Sequence, residues 1–382
     1  MSTPNDVYCD VFFNEIYTNP NGQYRFCCHA KSAPDEHSMN SKTHTPFEWF
    51  KSDYMEQVRN DAFDGVKNPA CTRCYDMEDA GGGSFRTLRY NQHNFTDISD
   101  VKLNLAISNV CNLSCYMCGP ENSTTKQVEL NKVFGKNSAE ATRWNGGMPG
   151  FALKKDNYKK LKESILDNID DVKYINLIGG EPMMIPEVWD LLDAIPAENA
   201  KKIKLCWITN MTKVGYKNYS LEDVIAKYED VTFNISCDHF GLKESWIRYP
   251  IDIKTFEENL VKYHKYITHI QVTVSILNGS DLIEIRDYYN SKFDLRVDFT
   301  NMVAGVNLAI DSYPNDHKEM LINKYENDTD FDVVVETLKS SMNIIHTDFG
   351  DRYSKDLDYC QKLSEHRNFH FRDIWKNQLP GL

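Results

Sequence analysis

Between residues about 99 and 305, six apolar-rich runs of strand length recur, most of them separated by stretches with helical spacing. They are Val101–Ser108, Val172–Ile178, Ile203–Asn210, Val231–Asp238, Ile270–Leu277 and Leu295–Asn301. Repeated strand–helix units predict a parallel sheet. Parallel strands covered on both faces read as nearly all apolar, and three of these runs alternate instead. The fourth sets Thr232, Asn234, Ser236 and Asp238 against Val231, Phe233, Ile235 and Cys237. The fifth sets Gln271, Thr273 and Ser275 against Ile270, Val272 and Val274, and the sixth Arg296, Asp298 and Thr300 against Leu295, Val297 and Phe299. An unpartnered buried polar group costs about 1–3 kcal/mol, so the polar face must meet something. A filled eight-stranded barrel packs Val, Ile and Leu inside. Six strands with a polar inner face predict an incomplete barrel around a ligand cavity; the alternative is a flavodoxin-like sheet with one wet face.

Each run ends in polar residues: Ser108-Asn109, Gly179-Gly180-Glu181, Thr209-Asn210, Ser236-Cys237-Asp238, Ser275 with Asn278, and Thr300-Asn301. Barrel chemistry sits at the C-terminal rim of the strands, so these ends are the candidate site. A long insertion between the first two runs carries Gly146-Gly147-Met148-Pro149-Gly150, read as a loop over that site.

Ahead of the barrel, residues 1–98 read as a smaller unit. Val7 to Tyr17 is rich in β-formers, Asn19-Pro20-Asn21-Gly22 is a turn, and Gln23 to Cys28 returns as a second strand. Thr45-Pro46-Phe47-Glu48 starts a helix with a capping box, running to about Phe63 with Gly65 near its end. Behind the barrel, 306–382 is charged and helix-like: Asn315 to Tyr325, Phe331 to Ile345, and a stretch to Cys360. Leu363 to Trp375 is basic and aromatic, and reads either as a substrate groove lining or as a terminal helix docked on the barrel.

Composition narrows the class. The chain has 382 residues, 41% of them hydrophobic and 12% aromatic, enough for a core and for more than one domain. No run of about 18 apolar residues predicts a membrane span. The N-terminus has no basic-then-apolar leader, so a cytoplasmic location is expected. Eleven cysteines in such a chain point to metal or catalysis over disulfides. A formal net charge of −13 disfavours a nucleic-acid partner, since phosphate binding needs a basic surface.

Three of those cysteines stand in one octet, Cys111-Asn112-Leu113-Ser114-Cys115-Tyr116-Met117-Cys118, directly after the first strand run. An iron–sulfur cube takes four thiolates; three leave one iron open to a small molecule. Zinc motifs pair C-x2-C with a second pair, which C-x3-C-x2-C fits poorly. The octet resembles the signature of the radical S-adenosylmethionine (SAM) enzymes, and Gly179-Gly180-Glu181-Pro182 follows the next strand where that family has its GGE motif. The resemblance implies an α/β partial (β/α)6 radical SAM barrel over 99–305. It implies that Cys111, Cys115 and Cys118 ligate a [4Fe–4S] cluster whose open iron takes the methionine part of SAM. One electron then cleaves SAM to a 5′-deoxyadenosyl radical, which abstracts a substrate hydrogen.

Roles for other residues follow from the same resemblance. Gly179 and Gly180 allow close backbone approach, and Glu181 accepts from the SAM amino group. Met117 stands where many relatives carry an aromatic beside the adenine, with Tyr116 as the second candidate. Asn210, Ser236 and Asp238 are the ribose and carboxylate binders, with Thr209, Ser275 and Asn278 behind them; for each of these, capping of a strand end is the competing reading. Cys237 reads either as a hydrogen-atom donor or as a small core residue. Arg296 and Asp298 grip a polar substrate or pair with each other.

Cys9, Gly22 and Cys27, followed by Cys71-Thr72-Arg73-Cys74, resemble half of the SPASM pattern of auxiliary-cluster domains, nearest to the one-cluster twitch form. That implies a second [4Fe–4S] cluster on Cys9, Cys27, Cys71 and Cys74, with the glycine spacing favouring Cys27 over Cys28; a zinc ribbon on the same sulfurs is the alternative. In relatives the module follows the barrel, and here it precedes it. The family implies an electron donor of flavodoxin or ferredoxin type and, for twitch and SPASM relatives, a peptide substrate, with sugars and small metabolites as other possibilities. The readings from other classes are a non-catalytic zinc or iron–sulfur protein and a radical SAM enzyme acting on RNA.

Overall fold

The structure, a computed structural model, describes residues 7–31, 39–79, 84–87, 98, 100–142, 155–303, 308–342, 349–376 and 378–382. The glycine-rich loop at 146–150 and the glycines at 81–83 lie outside them. The fold is α/β with a mostly parallel sheet, and it divides into two compact units. The first comprises 1–110, 148–207 and 215–232; the second comprises 111–147, 208–214 and 233–382.

In the first unit, β1 (Glu15–Thr18) pairs antiparallel with β2 (Tyr24–Arg25) and in parallel with β3 (Val101–Ala106). β3 in turn pairs in parallel with β4 (Val172–Ile178), and β4 with β5 (Lys204–Thr209). Leu103, Leu105, Ile175, Leu177, Leu205 and Trp207 are buried, as are Val188, Trp189, Leu191 and Leu192 of the helix Pro186–Ala194, whose Trp189 ring lies 5.4 Å from that of Trp207. Asn104 and Asn176 alternate with these apolar positions, and they meet across β3 and β4, Nδ2 of Asn176 donating to Oδ1 of Asn104 at 2.9 Å. A small hairpin, β6 (Gly215–Tyr216) with β7 (Tyr219–Ser220), precedes a helix capped by Ser220 and Asp223.

In the second unit, β8 (Asp230–Ser236, the division cutting it after Thr232), β9 (Ile267–Val274) and β10 (Val297–Met302) pair in parallel. Phe233, Ile235, Ile270, Val272 and Val274 are buried, while Asn234, Ser236, Gln271 and Thr273 stay half-buried, so the alternation read from the sequence is real. The polar faces partly satisfy one another: Gln271 Nε2 donates to the Asp298 carbonyl at 3.3 Å. β10 is bulged between Asp298 and Asn301, and it pairs with β9 alone among the described residues. Among the described residues, β10 is therefore an edge strand.

All six predicted runs are strands, with ends that move by a few residues. The N-terminal segment departs further. Val11–Asn14 is a helical turn, so the first β run is short. The predicted single helix is two, Pro46–Phe50 and Asp53–Phe63, because Ser52 starts the second by accepting from Met55 N–H. The capping box of Thr45 and Glu48 is present. Pairing of β1 with β3 joins the N-terminal hairpin to the sheet. At the C-terminal end, the helices Asn315–Tyr325, Asp332–Met342 and Phe349–Arg367 appear, and the aromatic tail packs inward: Phe371 and Trp375 are buried, 5.5 and 6.1 Å from the Trp246 ring.

Candidate active site

The cysteine octet leaves β3 as a loop of the second unit, pinned along its length. Ser123 caps the helix Thr124–Val133 and its hydroxyl donates to the Leu113 carbonyl at 2.6 Å. Thr125 Oγ1 donates to the Cys111 carbonyl at 2.6 Å. Ser114 N–H donates to the Tyr249 carbonyl at 2.6 Å, and Tyr116 N–H to the Ile247 carbonyl at 2.7 Å. These bonds hold the loop by its backbone and make no use of the sulfurs.

Cys115 is buried, whereas Cys111 and Cys118 are partly exposed. The Cys111 sulfur accepts from Leu113 N–H at 3.4 Å, an N–H···S contact of the kind that steadies a thiolate. The Cys115 thiol is pushed well up, first by its hydrogen bond with Cys118 and then by burial; Arg248 opposes the shift. Among the described residues, no three His, Cys, Asp or Glu side chains are already drawn together as metal ligands. The donor chemistry nevertheless suits an iron–sulfur cube: three thiols on one short loop, two of them in contact, with an amide donor at the Cys111 sulfur and a guanidinium at the Cys115 sulfur.

Tyr116 does not stand open beside these sulfurs. It is buried, its ring 5.2 Å from Trp246 and its hydroxyl 2.9 Å from the Cys360 sulfur, because the loop needs an apolar anchor against the C-terminal helix. Met117 stays partly exposed.

The predicted strand-end residues of this unit are engaged with each other and with backbone. Asn210 Nδ2 donates to Asn112 Oδ1 at 3.1 Å, tying the end of β5 to the octet, while its Oδ1 accepts from Thr212 N–H at 3.0 Å. Thr209 Oγ1 accepts from Met211 N–H at 3.0 Å. Asn278 accepts from Ser275 N–H at 2.8 Å and donates to the carbonyls of Asp238 and Thr273 at 3.0 and 3.1 Å; Ser275 Oγ accepts from Leu277 N–H. Ser236 is half-buried at the end of β8. Asp238, fully buried, accepts from Thr273 N–H at 2.8 Å and pairs with Arg248 Nε at 2.7 Å. Cys237 takes the core reading: its sulfur is buried and hydrogen-bonded to Glu244 and Tyr289.

Sequence reasoning misses Arg248 and Glu244. They follow Asp238 by ten and six residues, across the helix Gly241–Ile247. Glu244 accepts from the N–H groups of Asp238 and His239 at 3.1 and 2.7 Å, and burial, then the Asp238 charge, push its carboxyl up to about 7. A charged pair at helical spacing after a strand end is the signal that could have found them.

The Gly-Gly-Glu turn belongs to the first unit. Gly180 N–H donates to the Ser108 carbonyl at 3.0 Å and Glu181 N–H to the Val110 carbonyl at 2.7 Å, which binds the end of β4 to the end of β3. Gly179 has φ +104°, and a Cβ on Gly180 would fall 2.2 Å from the Val110 carbonyl oxygen, so both positions require glycine. Glu181 is buried, and one of its carboxylate oxygens accepts from Met183 N–H at 3.2 Å.

The first unit also holds Cys9, Cys27, Cys71 and Cys74. Asn68 starts the short turn Pro69–Cys71 by accepting from Ala70 N–H at 2.9 Å, and Lys31 N–H donates to the Ala70 carbonyl, which brings the segment after Cys28 to Cys71. Burial raises the Cys9 thiol most, and the nearby sulfurs of Cys27, Cys71 and Cys74 raise it further. Cys9 is thus within electrostatic reach of the other three sulfurs. Cys27 is buried, while Cys28 is exposed.

Residues 105–290 match the model of the Radical SAM superfamily. The chain is similar to the structure of native anSMEcpe with bound AdoMet, at 16% identity over 60% of this chain and 61% of that one, with a TM-score of 0.40. To the hexahistidine-tagged form of anSMEcpe with bound AdoMet it is 17% identical over 59% of each, with a TM-score of 0.41. To TYW1 with a lysine-pyruvate adduct bound it is 16% identical over 60% and 72%, with a TM-score of 0.32. The chain thus spans about three-fifths of the two anSMEcpe structures. No curated protein matches it, and no described helix is long and apolar enough to cross a membrane.

Proposed function

We propose, from the premise that residues 105–290 are a radical SAM domain, that the chain is a radical SAM enzyme. Cys111, Cys115 and Cys118 hold its [4Fe–4S] cluster. Bound together and given one electron by an external donor, the cluster and SAM would supply radical hydrogen-atom abstraction from the substrate. The observation that carries the reading is the octet itself: three thiols on a loop that four hydrogen bonds fix directly after β3, inside the matched segment.

The chain's own residues bind, orient and exclude water. Glu181 is the acceptor for the SAM amino group, in a charge-assisted bond, with Gly179 and Gly180 giving the backbone access. Met117 packs near the adenine. Asn210 orients the octet through Asn112 and, with Ser236, offers hydroxyl and amide contacts to the ribose. Asp238, Thr209, Ser275 and Asn278 act by holding these strand ends in place, which their existing bonds support.

The same reading gives Cys9, Cys27, Cys71 and Cys74 an auxiliary [4Fe–4S] cluster. Its support is the charge influence of the Cys27, Cys71 and Cys74 sulfurs on the Cys9 thiol and the burial of Cys27 in place of Cys28. A flavodoxin- or ferredoxin-type donor supplies the electron. The substrate is a peptide or small molecule; the acidic balance argues against RNA.

Anaerobic reconstitution with iron and sulfide, followed by dithionite and SAM, tests the assignment. The wild type releases 5′-deoxyadenosine. Cys115→Ala stays folded and releases none. A Cys115→Ala protein that still cleaves SAM would remove the octet from the mechanism.

A further inference from the structure

Arg248 is held against Cys115 from three directions. Its Nη1 lies 3.7 Å from the Cys115 sulfur, its Nε lies 2.7 Å from Asp238 Oδ2, and the same Nε lies 3.5 Å from Glu244 Oε1. The two carboxylates are themselves fixed: Asp238 by Thr273 N–H, Glu244 by the N–H groups of Asp238 and His239. The backbones are fastened as well. Ser114 and Tyr116, on either side of Cys115, donate to the carbonyls of Tyr249 and Ile247, on either side of Arg248. The guanidinium and the sulfur are thus paired by a two-bond register, with both side chains buried. Nothing in binding three thiols to iron requires a buried cation on one of them.

We infer that Arg248 donates to the sulfur of Cys115 when that sulfur ligates the cluster, and that this contact sets the cluster's reduction potential. The inference rests on the proposed role of Cys115 as a ligand. Adding one electron makes the cluster more negative. A guanidinium at hydrogen-bond range of a ligand sulfur, in an interior that screens charge weakly, stabilises that reduced state and moves the potential upward. Arg248 is a positioning residue, with its charge and donor as the working parts. Asp238 and Glu244 aim the guanidinium and moderate its charge.

The test is a dithionite titration of the full reconstituted chain, without SAM, followed by electron paramagnetic resonance. The octet's signal is identified as the one that Cys115→Ala loses. Arg248→Gln removes cation and donor, and its midpoint is expected to move to more negative potential than wild type. Arg248→Lys keeps a cation for Asp238 but has no planar fork to reach Cys115; its midpoint moves the same way by less. The lysine variant also carries the test if the glutamine variant fails to fold. Unchanged midpoints in folded, iron-loaded variants overturn the inference, as does a shift in SAM affinity with no shift in midpoint. A wild-type chain with no octet signal overturns the ligand assignment and the inference together.

Discussion

Arg367 and Glu129 form a two-pronged ion pair, Nε to Oε1 at 2.7 Å and Nη2 to Oε2 at 2.8 Å. The same guanidinium donates to the carbonyls of Ser114 at 2.7 Å and Trp246 at 2.5 Å, and the Ser114 hydroxyl donates to Glu129. One residue at the end of the helix Phe349–Arg367 therefore clamps the middle of the cysteine octet. Lys126 completes the network at 3.2 Å from Glu129.

Removing one partner of such a buried network leaves the others uncompensated, which costs about 3–5 kcal/mol. Arg367→Met is expected to lose that much stability in urea unfolding and to take up less iron at the octet. A neutral substitution would show that the clamp does not hold the loop.

The Glu129 carboxyl shows an acid limit. Burial opposes its charge, but the hydrogen bonds of Arg367, the charges of Lys126 and Arg367, and the Ser114 hydroxyl bring it down from an ordinary 4.5 to about 2. Its folded value lies below its unfolded one, so its contribution is complete above about pH 4.5 and lost as pH falls toward 2. That contribution is on the order of 3 kcal/mol. The unfolding free energy of Glu129→Gln should fall less between pH 4.5 and 2 than that of wild type; parallel curves would contradict this.

Gly180→Ala would put a methyl 2.2 Å from the Val110 carbonyl oxygen, against the Asn109–Val110 backbone, where the nearest atoms are all backbone and none is the end of a flexible side chain. The expected loss is at least about 3 kcal/mol, read as a fall in the thermal midpoint. An unchanged midpoint would mean that the β3 and β4 ends separate freely.

Cys74→Ala removes one of the three sulfurs that act on Cys9. Iron should fall by about one cube while some SAM cleavage persists. Unchanged iron would leave these cysteines without a cluster.

Period and turn chemistry made the fold readable. Alternation at Thr232, Asn234 and Ser236 marked a strand with one polar face, and Thr45 with Glu48 marked a helix start. The sequence could not show that Val11–Asn14 coils before β1, because a short β-rich run carries no period that excludes a helical turn. Nor could it show that Tyr116 turns inward, since orientation within a loop depends on what packs there, and Trp246 and Cys360 come from distant segments. Asp238 was visible as a polar strand end. Its pairing with Arg248 was not, because the ion pair is made across a helix whose path only the fold fixes.

If the octet carries a cube, one iron of that cube is open to SAM. Electron paramagnetic resonance of the reduced, anaerobically reconstituted chain, recorded before and after adding SAM, reads that corner directly. SAM is expected to change the octet signal's shape and g-values. An identical spectrum with saturating SAM would contradict it.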